Sequence, residues 1–261
     1  MTESLKTPYS LTPNQIAQYR RDGFIALTDV ITGPDLAELR AAVERAVEEE
    51  KPLPTGTTKT PYEQIFIQKV NLWRRHPDVR KFVLAKRLGQ LAAQLSGHPA
   101  RIWHDQALFK EPHTGAKTPW HQDAHYWPHQ TRADQITIWI ALKDATIQNG
   151  CMSFVPGTQR LQNLKPVNLA NPENIFDAAP EFKGAKPQTV ELKAGSATFH
   201  NGLTFHYAGP NKSDGMREAF AIIYMPDNTT FDGQKHIVTD PLNLTVGDPL
   251  NSELFPLVGS I

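Results

Sequence analysis

The chain changes texture near residue 100, and that change limits its architecture more than any other feature. Up to Gly97 the apolar residues recur at helical spacing. Beyond it the apolar runs become short, β-branched and aromatic, and are broken by proline, glycine and asparagine. Helices followed by short strands, with no second break, predict one domain over residues 1–261. Its class is mainly β with flanking helices (α+β). Residues 1–99 form a mainly helical part packed outside a β-sandwich or jelly roll built from 100–261.

Local signals place the elements. Thr12-Pro13-Asn14-Gln15 is a capping box with proline at the first helical position, and Gly23 ends that helix. A second helix starts near Gly33-Pro34-Asp35 and buries Leu36, Leu39, Val43 and Val47, before a Pro/Thr/Gly linker from Pro52 to Pro61. A third pattern uses Val79, Phe82, Val83, Leu88, Leu91 and Leu95 and stops at Gly97. In the β part, Ile136, Ile138 and Ile140 alternate with Thr137, Trp139 and Ala141. Asn201-Gly202 predicts a two-residue hairpin, with both residues at positive φ, joining Ser196–His200 to Leu203–Tyr207. Arg217–Met225 reads as a further strand. The Pro/Asn-rich stretch 160–187 reads as a loop insert and candidate lid, with Leu161, Leu164, Val167, Leu169, Ile175 and Phe176 supplying apolar contacts.

Composition narrows the partners. Lys+Arg and Asp+Glu both number 27, so a nucleic-acid binder relying on a broad basic surface is not expected. No apolar run approaches the ~20 residues of a membrane span, and the first ten residues do not resemble a signal peptide. Cys151 is the one cysteine, which excludes an intrachain disulfide and reads as a small buried residue. A cytoplasmic location is the simplest expectation.

Ten histidines are present, and two of them stand in a pattern with chemical meaning. His121 and Asp123 are two apart, a spacing that puts both side chains on one face of extended chain. His206 follows the Asn-Gly turn. Two histidines and one carboxylate form the facial triad that holds Fe(II) and leaves positions open for substrate and O2. The His-x-Asp pair alone is weak, because a surface histidine beside a solvated aspartate produces it as readily. Arg217 opens the next strand. If that strand is the antiparallel neighbour of the one bearing His206, both side chains face one cavity. A guanidinium fork suits a carboxylate, and 2-oxoglutarate carries a keto acid at one end and a carboxylate at the other. His104, His113, His125, His129 and His200 carry no spacing that assigns them a role, while His125, Tyr126 and Trp127 could line a substrate pocket.

His121-Gln122-Asp123, the run Gly150–Gly157, and His206–Ser213 with Arg217 resemble the phytanoyl-CoA dioxygenase family. Tyr19–Ile25 at the start and Gly247–Leu250 with Phe255-Pro256 at the end are similar to that family's ends. The resemblance implies a double-stranded β-helix, cupin-like core. It implies an Fe(II)- and 2-oxoglutarate-dependent dioxygenase that uses O2, hydroxylates a small organic molecule and releases succinate and CO2. It makes His121, Asp123 and His206 the metal ligands and Arg217 the partner of the distal carboxylate of 2-oxoglutarate. Lys69, Gln106 and Trp139 match positions lining the co-substrate site. The chain departs from the family at Ala208, where many relatives carry serine. The alternatives are a non-catalytic cupin-like binding protein, in which the triad or the arginine would be broken, and another metalloenzyme on the same fold, which would not need Arg217.

Overall fold

A computed structural model describes residues 3–50, 66–169 and 174–261. The linker expected at 52–61 and Asn171 and Pro172 of the loop insert lie outside these residues. Both helices expected before residue 50 form, with Leu36 and Val47 of the second only partly buried. Helix Pro13–Asp22 is closed at its N-terminus by the reciprocal Thr12–Gln15 capping box and at its C-terminus by Gly23 at φ 81°. Helix Gly33–Glu49 buries Leu39, Ala42, Val43 and Ala46.

The third helical pattern is two helices, Pro77–Val83 and Lys86–Ser96, because Ala85 takes an extended backbone between them. No proline or glycine announces that break. The second helix lies backbone against backbone on the strand Leu257–Gly259. A Cβ on Gly89 would stand 2.5 Å from the carbonyl oxygen of Val258, and Gly259 meets Gly89 in the same contact.

Among the described residues, eleven strands build two sheets: β1 Phe24–Leu27, β2 Ile67–Val70, β3 Ala100–Lys110, β4 Thr118–His121, β5 Ile136–Ala141, β6 Met152–Phe154, β7 Gln188–Val190, β8 Ala197–Asn201, β9 His206–Ala208, β10 Arg217–Pro226 and β11 Leu257–Gly259. The larger sheet runs β1-β8-β5-β10-β3-β11, with β2 also on β3, and the smaller runs β4-β9-β6-β7. Successive strands from β3 to β6 and from β7 to β10 alternate between the two sheets, as in a jelly roll, and the sheets do not close into a barrel. Ile136, Ile138 and Ile140 of β5 turn to the helices, packing in one core with Leu39, Phe82, Leu91 and Phe220. Trp139 and Ala141 turn the other way, into a second core with Phe154, Ala219 and Ala221. The alternation is that of a sheet covered on both faces.

The Asn201-Gly202 hairpin does not form. Neither residue has a positive φ, and the chain passes from β8 in one sheet to β9 in the other. Asn201 Oδ1 accepts a bond from the Leu203 amide, and the Asn201 carbonyl accepts one from the Thr204 amide. Tertiary packing selects Gly202: a Cβ there would stand 2.9 Å from the Trp127 ring. The strands bearing His206 and Arg217 are likewise not neighbours, since β9 and β10 belong to different sheets.

The described part of 160–187 folds into 3-10 turns at Ile175–Asp177 and Pro180–Phe182. Val167, Ile175 and Ala179 pack with Val155 and Phe205 in a third apolar cluster that Leu161, Leu164 and Phe176 border.

Candidate active site

A cavity of about 380 Å³ lies between the sheets, lined by residues of both. His121 ends β4, and His206 opens β9 directly opposite it in the register. Their rings stand 4.0 Å apart between centroids. Asp123 is not on extended chain. It caps the 3-10 turn Ala124–Tyr126 with φ −72° and ψ −42°, so it is this turn, rather than strand alternation, that brings its carboxylate back. Asp123 Oδ1 lies 3.3 Å from His121 Nε2 and 3.5 Å from His206 Nε2. One ligand atom from each residue falls within 4.8 Å of the others.

The far side of each ring is tied down. His121 Nδ1 is 2.7 Å from the Pro119 carbonyl oxygen and His206 Nδ1 is 3.0 Å from that of Thr204. A carbonyl only accepts, so the protons sit on Nδ1 and both Nε2 lone pairs face the cluster. This is the arrangement that orients metal-ligating histidines. Burial, and then the neighbouring His206, pushes the His121 pKa down. Burial works to raise that of Asp123, but His206, His121 and His200 hold it well below the usual carboxylate range. Neutral imidazoles and an ionised carboxylate are what a divalent cation requires, and the three residues fit Fe(II) by donor type and by geometry.

Arg217 lines the same cavity from the larger sheet and is 3% exposed. Its guanidinium lies 5.2 Å from the Trp139 ring centroid, and Nη1 donates to the Leu108 carbonyl at 2.9 Å. Its Nε has no partner, and no carboxylate pairs with it among the described residues. Burial lowers its pKa to about 10, which leaves it charged at neutral pH. Beside it on β3, Lys110 spends its ammonium on the carbonyls of Ala208 and Gly209. Arg217 is therefore a buried cation with donors to spare. Gln106 and Trp139 flank Ala221 in the register and line the wall with it.

The structure does not bring Lys69 to this wall. Lys69 pairs with Ala107, which packs in the helix-side core, so period two gives Gln68 and Val70 to the cavity instead. His104, Thr137, His200 and His236 also line it. Sequence spacing did not assign the first three, because only the pairing of β3, β10, β5 and β8 aligns them, and His236 comes from the loop after β10.

Two histidines and a carboxylate on one rim, with an unpaired arginine on the facing sheet, define a non-haem iron oxygenase that takes a 2-oxo acid. The comparisons agree: the chain belongs to the phytanoyl-CoA dioxygenase family, whose profile, "Phytanoyl-CoA dioxygenase (PhyH)", matches residues 19–219. The mouse (Mus musculus) peroxisomal phytanoyl-CoA dioxygenase is 24% identical over 228 residues, covering 81% of this chain and 67% of that protein. L-proline trans-4-hydroxylase of Streptomyces griseoviridis is 30% identical over 149 residues, 54% of this chain and 53% of its own. Among solved structures, the alpha-ketoglutarate-dependent carbocyclase SnoK from nogalamycin biosynthesis superposes with a TM-score of 0.83 at 29% identity, covering 96% of this chain and 99% of that one. The epimerase SnoN, solved with Fe3+, alpha ketoglutarate and nogalamycin RO, gives 0.81 at 28% identity, covering 94% and 97%. The protein is thus an Fe(II)- and 2-oxoglutarate-dependent dioxygenase with a jelly-roll core and O2 as the second co-substrate. No described helix is long and apolar enough to cross a membrane.

Proposed function

We propose that the protein hydroxylates a small organic molecule, using His121, Asp123 and His206 as iron ligands and Arg217 as the clamp for 2-oxoglutarate, with release of succinate and CO2. The observation that carries this reading is the convergence of three oriented ligand atoms within 4.8 Å, faced by a buried arginine without a carboxylate partner. When bound, iron supplies the activation of O2 that no side chain can provide.

The chain's own residues position and shield. The Pro119 and Thr204 carbonyls fix both ring orientations. Arg217 offers a planar fork to a carboxylate above the Trp139 ring, and Ala221 leaves room beside it. Gln106 belongs to the same wall, whereas Lys69 does not reach it. Leu169 brings the insert to the cavity, and Tyr126, which also lines it, donates its Oη at 2.5 Å to the Val167 carbonyl. The insert acts as a lid that keeps water from the reacting centre. A cytoplasmic setting belongs to this reading, supported by a lone buried thiol at Cys151. Fractionation of the source cells tests it, and recovery in a sealed organelle would contradict it.

The catalytic test is succinate formation from 2-oxoglutarate with Fe(II) and O2. Wild type should turn over slowly even without substrate, and Asp123→Ala should not. Equal succinate formation by the two would overturn the assignment.

A further inference from the structure

The larger sheet carries a line of buried polar side chains with atoms left unpaired among the described residues. His104 on β3, Ile223 on β10, Thr137 on β5 and His200 on β8 are successive register partners. Directly paired residues share a face, so these four form one row, and all four line the cavity. The polar members are 1%, 4% and 1% exposed. His104 Nδ1, Thr137 Oγ1 and His200 Nδ1 have no hydrogen-bond partner among the described residues, and His200 Nε2 has only the Asp123 carboxylate at 3.5 Å. Native structures leave few buried polar groups unpaired, and three in one row on a cavity wall point to a ligand.

The row starts beside the metal cluster, where His200 Nε2 lies 3.5 Å from Asp123 Oδ2. It then crosses three strand spacings of about 4.8 Å each, some 14 Å in all. Flat surfaces stand at its far end. The His236 ring stacks on His104 at 5.9 Å and 19°, and Trp127 meets His104 edge-on at 6.4 Å. Burial, then the neighbouring His236, pushes the His104 pKa down to about 3, and burial takes His236 to about 4. Both are neutral imidazoles at pH 7; His236 Nδ1 already accepts from the Val238 amide, whereas His104 can donate one hydrogen bond and accept another. Among the described lining residues, Arg217 is the one lysine or arginine and Asp123 the one carboxylate. Both are committed to the co-substrate and metal end.

We propose that this row is the substrate subsite, and that it takes an uncharged, planar molecule of two or three fused rings bearing hydroxyl or carbonyl groups. His104, Thr137 and His200 hydrogen-bond those groups, and Trp127 and His236 flank the rings. The assignment rests on the oxygenase reading above and gives it a substrate class. A carboxylate or a phosphate-bearing thioester would leave water here without a cation to meet it, which is strongly unfavourable.

The test uses a size-matched pair of probes, 2,6-dihydroxynaphthalene and 6-hydroxy-2-naphthoate. Each is titrated calorimetrically, without O2, into the protein loaded with Fe(II) and 2-oxoglutarate. The neutral probe should bind, and the naphthoate should bind at least about tenfold more weakly. Thr137→Val and His104→Phe, which remove a hydrogen-bonding group at nearly constant shape, should each weaken the neutral probe about threefold to tenfold. Equal or tighter binding of the naphthoate would overturn the proposal. So would no binding of either probe, or unchanged binding in both variants. The 2-oxoglutarate affinity, measured first in each sample, reports separately on the oxygenase reading. Its absence alongside intact selectivity for the neutral probe would sink that reading and leave the subsite standing.

Discussion

Replacing Arg217 should cost most of the affinity for 2-oxoglutarate, and the structure sets the scale. Arg217 is 3% exposed, one of its nitrogens is held by the Leu108 carbonyl, and its Nε is unpaired. A dicarboxylate bound there forms a buried ion pair shielded from solvent. Removing one partner of such a pair costs on the order of 3–5 kcal/mol. Arg217→Ala should therefore bind 2-oxoglutarate roughly a hundredfold to several thousandfold more weakly. Arg217→Lys keeps the charge but loses the planar fork over Trp139. The loss of one charged hydrogen bond, about 1.5–3 kcal/mol, predicts a decrease of about tenfold to 150-fold. Calorimetric titration of 2-oxoglutarate into the Fe(II)-loaded protein without O2 measures both, with thermal unfolding as the control for folding. An Arg217→Ala protein that folds and binds within about threefold of wild type, under 1 kcal/mol, would refute the clamp.

Further outcomes follow from neighbouring residues. Ala208→Ser restores a hydroxyl on the cavity wall and should tighten 2-oxoglutarate binding by about 0.5–1.5 kcal/mol, roughly twofold to tenfold in the same titration. Lys110 has its pKa pushed down to about 7 by burial and then by Arg217. The folded chain therefore binds fewer protons than the unfolded one between pH 7 and 10.5. Wild type should gain stability relative to Lys110→Met as pH rises through that window, by up to about 1.4 kcal/mol per pH unit, and denaturant melts at several pH values check the sign. If residues 160–169 and 174–187 close over the cavity, adding 2-oxoglutarate and a bound ring probe should slow their amide exchange. Unchanged protection in the iron-bound complex would identify a static cover.

What could be read in the sequence depended on how local its cause was. The Thr12–Gln15 capping box and the Gly23 and Gly97 stops are decided within a few residues, and they appear as expected. The β5 alternation was legible because period two needs no partner. The Asn-Gly turn was misread because its glycine answers to Trp127, far away in the chain except through the fold. Gly89 answers to Val258 and Gly259 in the same way. At the site, His121, Asp123, His206 and Arg217 were legible through motif and family resemblance, although a 3-10 turn, not a strand, delivers Asp123. Lys69 and its neighbours show the limit, since one residue of register decides which of them meets the cavity. The row from His104 to His200 was not legible, because it exists only where four strands that are distant in sequence lie side by side.

The account rests most heavily on the metal cluster. The direct measurement is a calorimetric Fe(II) titration without O2 of wild type and of a variant with His121, Asp123 and His206 all replaced by alanine. The account predicts one equivalent bound by wild type and none at the same affinity by the variant, with both proteins folded. Undiminished Fe(II) binding by the folded triple variant would contradict it.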